Sequence, residues 1–159
     1  MTDEIIVFTD GAALGNPGPG GYGAVLLYGG RKKELSDGFL HTTNNRMELL
    51  AVIEALKAIQ KTGIPVRIFC DSKYVCDAIN KGWLFSWQKK GWAKVKNVDL
   101  WKRFLPYYMK FKPVFVWVKG HAGNPGNERC DFLATEAAKA HPQKVDEGYK
   151  PDEKDSGLL

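Results

Sequence analysis

The stretch Ile5-Ile6-Val7-Phe8-Thr9-Asp10-Gly11 decides how this chain folds. Its first four residues are apolar and three of them are β-branched, which predicts a strand buried on both faces. Strands of that kind sit at the centre of a sheet. Asp10 then falls at the strand's carboxyl end, where α/β sheets place their ligand sites. Asp10-Gly11 also reads as a plain turn dipeptide, and this stretch alone does not separate the two readings.

Working outward, residues 11–23 are rich in glycine and contain a literal Gly-x-Gly-x-x-Gly at Gly18, Gly20 and Gly23. A dinucleotide site needs a helix beginning inside that pattern. Here Pro19 interrupts it and Ala24-Val25-Leu26-Leu27-Tyr28 follows as a strand, so the dinucleotide reading fails. No Gly-Lys-Ser/Thr is present to build a phosphate loop of the P-loop kind. The stretch is expected to be a long turn. Gly29-Gly30 marks another turn, and residues 32–40 alternate as a third strand, completing an antiparallel meander.

A helical face follows in Leu49, Val52, Ile53, Leu56 and Ile59, ended by Gly63 and Pro65. Residues 66–70 form a fourth strand that again ends in an acid, Asp71, before a short helix to Asn80. Leu100, Trp101, Phe104, Leu105, Tyr108 and Phe111 mark a further helix, which Pro106 should kink or restart. Residues 114–118 form a fifth strand, and Asn127 can cap a last helix running to about Ala140. The order β-β-β-α-β-α-α-β-α predicts an α/β fold: a five-stranded mixed sheet with helices on both faces. Residues 1–140 should make a single domain. The polar, aperiodic segment 141–159 should be a disordered tail.

A chain of 159 residues has enough length for one core without staples. No apolar run approaches the roughly 20 residues that span a bilayer, and no basic region precedes an apolar one at the start, so neither a membrane partner nor secretion is expected. Cys70, Cys76 and Cys130 show no metal-binding spacing and suit a reducing cytoplasm. The net charge of +5 is local: Lys81, Lys89, Lys90, Lys94 and Lys96 cluster with no acid among them. Such a patch points to nucleic acid.

Four acids stand out. Asp10 and Asp71 end strands, while Glu48 and Asp131 open helices. Each has a plainer reading: Glu48 fits a capping box from Asn45, Asp71 a helix cap, and Asp131 a solvated charge. Gathered together, such carboxylates repel one another and call for hard divalent cations, Mg²⁺ above all. Without clustered cysteine or histidine, zinc is disfavoured.

Phe8-Thr9-Asp10-Gly11, the run from Gly15 to Gly23, Thr43-Asn44-Asn45-Arg46-Met47-Glu48, Asp71-Ser72, and Trp117 to Gly123 with Asn127 to Asp131 together resemble bacterial ribonuclease H of type one. The resemblance spans residues 5 to about 140. It implies the ribonuclease H-like fold and hydrolysis of the RNA strand of RNA–DNA hybrids, leaving 3′-hydroxyl and 5′-phosphate ends. It further implies two Mg²⁺ ions, replaceable by Mn²⁺, held by Asp10, Glu48, Asp71 and Asp131. His121, on its glycine-flanked loop, would move protons. Asn44 and Asn45 would face the RNA with Lys73 beside them, and Asn16 and Thr43 a DNA phosphate. Trp83, Trp87 and Trp92, interleaved with Lys89 and Lys90, resemble the family's basic protrusion. The expected partner is the hybrid duplex, met by a monomer. A non-catalytic hybrid-binding module of the same fold is the alternative, and it would be expected to lack at least one of the acids.

Overall fold

In a computed structural model describing residues 3–120 and 122–151, β1 (Ile5–Ala13) is the middle strand of a five-stranded sheet. It pairs antiparallel with β2 (Gly18–Tyr28), which pairs antiparallel with β3 (Arg31–Thr42). On its other side it pairs parallel with β4 (Val66–Cys70), which pairs parallel with β5 (Val114–Trp117). The order β3-β2-β1-β4-β5 is the mixed sheet expected from the sequence.

The meander is longer than the apolar pattern suggested, because much of the glycine-rich stretch is strand. A Cβ on Gly21 would lie 2.5 Å from the Ala134 carbonyl oxygen, and one on Gly23 the same distance from that of Cys130. Both residues belong to α5 (Pro125–Lys139). Glycine is there so that a helix backbone can lie directly on the sheet.

Helix α1 (Asn44–Ala58) packs on the opposite face, its apolar row from Leu49 to Leu56 fully buried. Its cap is Thr43, whose Oγ1 accepts from the Arg46 nitrogen, and not Asn45. The hydroxyl is better placed because the chain leaves β3 at Thr42. Ser72 likewise caps α2 (Lys73–Asn80), releasing Asp71 from a capping role. The basic segment contributes α3 (Trp83–Lys89).

Helix α4 (Val98–Phe111) continues through Pro106 without restarting. Trp101 and Phe104 are fully buried and stack edge-on at 5.9 Å, with Phe104 meeting Phe115 at 6.1 Å. That packing outweighs the roughly 3 kcal/mol an internal proline costs. Helix α5 starts before Asn127: Asn124 accepts from the Asn127 nitrogen at 3.0 Å, and Pro125 takes the first helical position.

Past α5 the chain does not come loose as its composition suggests. The Leu40 nitrogen donates to the Lys144 carbonyl at 2.7 Å, Thr42 Oγ1 donates to Asp146 at 2.7 Å, and Lys144 pairs with Asp37. Buried Arg46 needs counter-charge, and Asp146 supplies part of it. That demand orders a polar segment through Pro151; residues 152–159 lie outside those described.

Candidate active site

Parallel pairing of β1 with β4 places Thr9 beside Cys70. β1 runs on past Asp10 to Ala13, because the glycine-rich stretch pairs with it, so Asp10 sits inside the strand rather than at its end. Asp71 directly follows β4, and the pairing brings the two acids side by side. Glu48 arrives from the early turns of α1, and Gly11 makes that approach feasible: a Cβ there would sit 2.5 Å from the Met47 carbonyl carbon. One carboxylate oxygen from each of Asp10, Glu48 and Asp71 lies within 4.8 Å of the other two. Asp10 is 4% exposed and Glu48 6%.

Burial pushes the Asp10 carboxyl up to about 7, against the pull of its hydrogen bond to Glu48; the charge of Asp71 adds to the rise and the Gly11 N–H, at 2.8 Å, opposes it. Glu48 is pushed well above the ordinary carboxylate range, first by burial and then by the charge of Asp10. Glu48 Oε2 and Asp71 Oδ1 are buried without a hydrogen-bond partner among the described residues. Crowded anionic oxygens with lone pairs left over fit a hard divalent cation, and the donor set contains no sulfur or nitrogen. Asp71 is held from behind: Trp117 Nε1 donates to its carbonyl oxygen at 3.0 Å, and Lys73 Nζ lies 4.9 Å from the Trp117 ring centroid.

Asp131 lies outside this group of three. It is half-buried on α5, directly after Cys130, whose thiol is pushed up by burial and then by the charge of Asp10. His121 lies outside the described residues.

Asn16 Oδ1 accepts from the Asn44 nitrogen at 2.9 Å, tying the β1–β2 turn to the start of α1. Asn16, Thr43 and Asn45 line a cavity of about 730 Å³. In the basic segment Trp83 is exposed, whereas Trp87 and Trp92 pack partly buried against the core, Trp87 meeting Trp101 edge-on at 5.6 Å. Lys89 and Lys90 are exposed. Two features escaped the sequence reading. Trp117 braces Asp71, and Arg46 is a buried cation between Asp99 and Asp146. An arginine inside an otherwise apolar helical face was the available signal for the second.

A family model described as RNase H matches residues 2–139. Curated relatives called ribonuclease H include one from Shewanella sp., 55% identical, with 93% of this chain and 96% of the relative covered. Another, from Syntrophus aciditrophicus, is 52% identical over 92% of this chain and 87% of the relative. Among solved structures, LC9-RNase H1, a type 1 RNase H with the type 2 active-site motif, superposes with a TM-score of 0.79 at 32% identity, covering 90% of this chain and 75% of that one. LC11-RNase H1, in complex with an RNA/DNA hybrid, superposes at 0.64 with 30% identity, covering 86% and 98%. Fold, acidic cluster and similarity over nearly the whole chain agree: this protein belongs to the ribonuclease H family, in its type 1 branch.

Proposed function

We infer that the chain is an endoribonuclease that hydrolyses the RNA strand of RNA–DNA hybrids with two divalent cations of the Mg²⁺ class, leaving 3′-hydroxyl and 5′-phosphate ends. The observation that carries this is the convergence of Asp10, Glu48 and Asp71, with buried oxygens of Glu48 and Asp71 left unpartnered among the described residues. Asp131, next to Cys130 on α5, completes the ligand set in this reading. Hard cations bound there supply the charge that activates a water and steadies the leaving oxygen.

The chain's own residues do the placing. The Gly11 N–H fixes one oxygen of Asp10, and Trp117 fixes the backbone of Asp71. Asn44 and Asn45, both exposed, offer short amides to 2′-hydroxyls, and Lys73, exposed at the start of α2, meets the RNA in this reading. Asn16 and Thr43 hold a phosphate of the DNA strand. Trp83, Lys89 and Lys90 attract the duplex by charge and a flat surface. His121 transfers the proton. A neighbour solved with an RNA/DNA hybrid supports this substrate. Three free, buried cysteines suit a reducing cytoplasm, and the protein works as a monomer.

A non-catalytic hybrid-binding module would gain nothing from an electrostatically costly carboxylate cluster. The test is a panel of end-labelled hybrid, RNA duplex, DNA duplex and single strands with Mg²⁺. Cleavage of the RNA strand of the hybrid alone, with 5′-phosphate ends, is expected. Binding without cleavage would favour the module.

A further inference from the structure

Arg46 is where the C-terminal segment meets the candidate substrate groove. Its side chain is 2% exposed and grips two acids at once. Nη1 and Nη2 donate to Asp99 at 2.8 and 2.7 Å; Nε and Nη2 donate to Asp146 at 2.7 and 3.0 Å. Asp146 is itself 9% exposed and also accepts from Thr42. Three pieces remote in sequence are thereby joined: the first turn of α1, the first turn of α4, and the segment after α5. Gly148 packs on Asp99 and Arg46 so closely that a side chain there would have to displace the ion pair. The Tyr149 ring meets His41 edge-on at 5.4 Å.

This anchoring sets the segment against the 730 Å³ cavity that Asn16 and Thr43 also line. Tyr149 and Lys150 form one wall, with Asn97 and Lys96 contributing to the rest. Amides, hydroxyls and lysines around an open cavity match the oxygens of a phosphodiester, since ammonium groups and neutral donors are what bind backbone phosphate. The charge on Arg46 is more than matched by its two carboxylates, so the positive charge at the cavity comes from Lys96 and, on the C-terminal segment, Lys150.

We propose that residues 144–150 are a working wall of the duplex-binding groove: Asp146, pinned on Arg46, is a positioning residue that sets Lys150 to hold a backbone phosphate of the hybrid opposite Asn16 and Thr43. This rests on the hybrid reading above.

The experiment is binding of a fluorescently labelled RNA–DNA hybrid to the full chain in a metal chelator, across a salt series, paired with steady-state cleavage and urea melts. Lys150→Gln, an exposed change, should leave the melt unaltered. It should weaken hybrid binding by about three- to tenfold and make the log–log salt slope shallower by about one, with KM raised and kcat held. Asp146→Asn should lower stability and weaken binding as well. Adding Lys150→Gln to it should then cost little more, because the segment is already released. Wild-type affinity and salt slope in Lys150→Gln would overturn the proposal alone. A wild-type chain that neither binds nor cleaves the hybrid would overturn the underlying reading along with it.

Discussion

Gly11 lies against the backbone of Glu48 so closely that no side chain fits between them: even the neighbouring Met47 carbonyl carbon would be 2.5 Å from a Cβ at position 11. The central strand and α1 therefore touch at the point where each presents a carboxylate. Gly11→Ala must push the helix outward. A stability loss of about 2 kcal/mol is expected from the overpacking, together with weaker divalent-cation binding as Glu48 withdraws. Urea unfolding and calorimetric Mg²⁺ titration measure the two.

Asp10 carries a cost in the metal-free protein. With its carboxyl pushed up to about 7 from an ordinary 3.8, the neutral form favours the fold. That contribution is fully present below about pH 4 and is lost as pH rises through about 7. Asp10→Asn should stabilise the metal-free protein at pH 8 by on the order of 2 kcal/mol and flatten its stability profile between pH 4 and 7. Added Mg²⁺ should raise the melting temperature of the wild type more than that of the variant. Thermal melts against pH, with and without the ion, test both halves.

Trp117 holds Asp71 by a single indole N–H on its carbonyl oxygen. Trp117→Phe keeps a ring under Lys73 and removes only that donor. A loss of about 1 kcal/mol in stability is expected, with Mn²⁺ affinity down by about tenfold as the ligand loses its brace. Equilibrium Mn²⁺ binding followed by electron paramagnetic resonance reads this without any turnover.

Arg46→Met would strand Asp146, whose carboxylate is nearly buried. Unfolding free energy should fall by about 3 kcal/mol, the usual consequence of leaving one member of a buried ion pair uncompensated. Arg46→Met combined with Asp146→Leu should recover a substantial part of that loss. Denaturant midpoints for both variants and the double variant settle the coupling.

The sheet order and most helices were legible because Ile5 to Phe8 and the row from Leu49 to Leu56 carry strong periodic signals. Asp10, Glu48 and Asp71 were legible for a related reason, since each of the two aspartates follows an apolar strand and they meet once those strands pair as parallel neighbours, although β1 in fact runs on to Ala13. The course of Gly18 to Gly23 was not. Glycines in a strand mean close approach of another backbone, and α5 is about a hundred residues further along the chain. The contacts of residues 141–151 were not legible because they come from Asp146 answering a buried Arg46, a demand invisible to composition. For Trp87 and Trp92 the interleaved lysines favour a protruding surface over packing; both pack partly buried against the aromatic core, a contact their spacing alone does not reveal.

The most direct measurement is the initial rate of RNA-strand cleavage in a labelled hybrid, for the wild type and Asp10→Asn, in Mg²⁺ and after chelation. Cleavage should require the ion and should fall by about a hundredfold or more in Asp10→Asn. Cleavage at full rate after chelation, or undiminished in Asp10→Asn, would contradict a reaction carried by cations held at this carboxylate cluster.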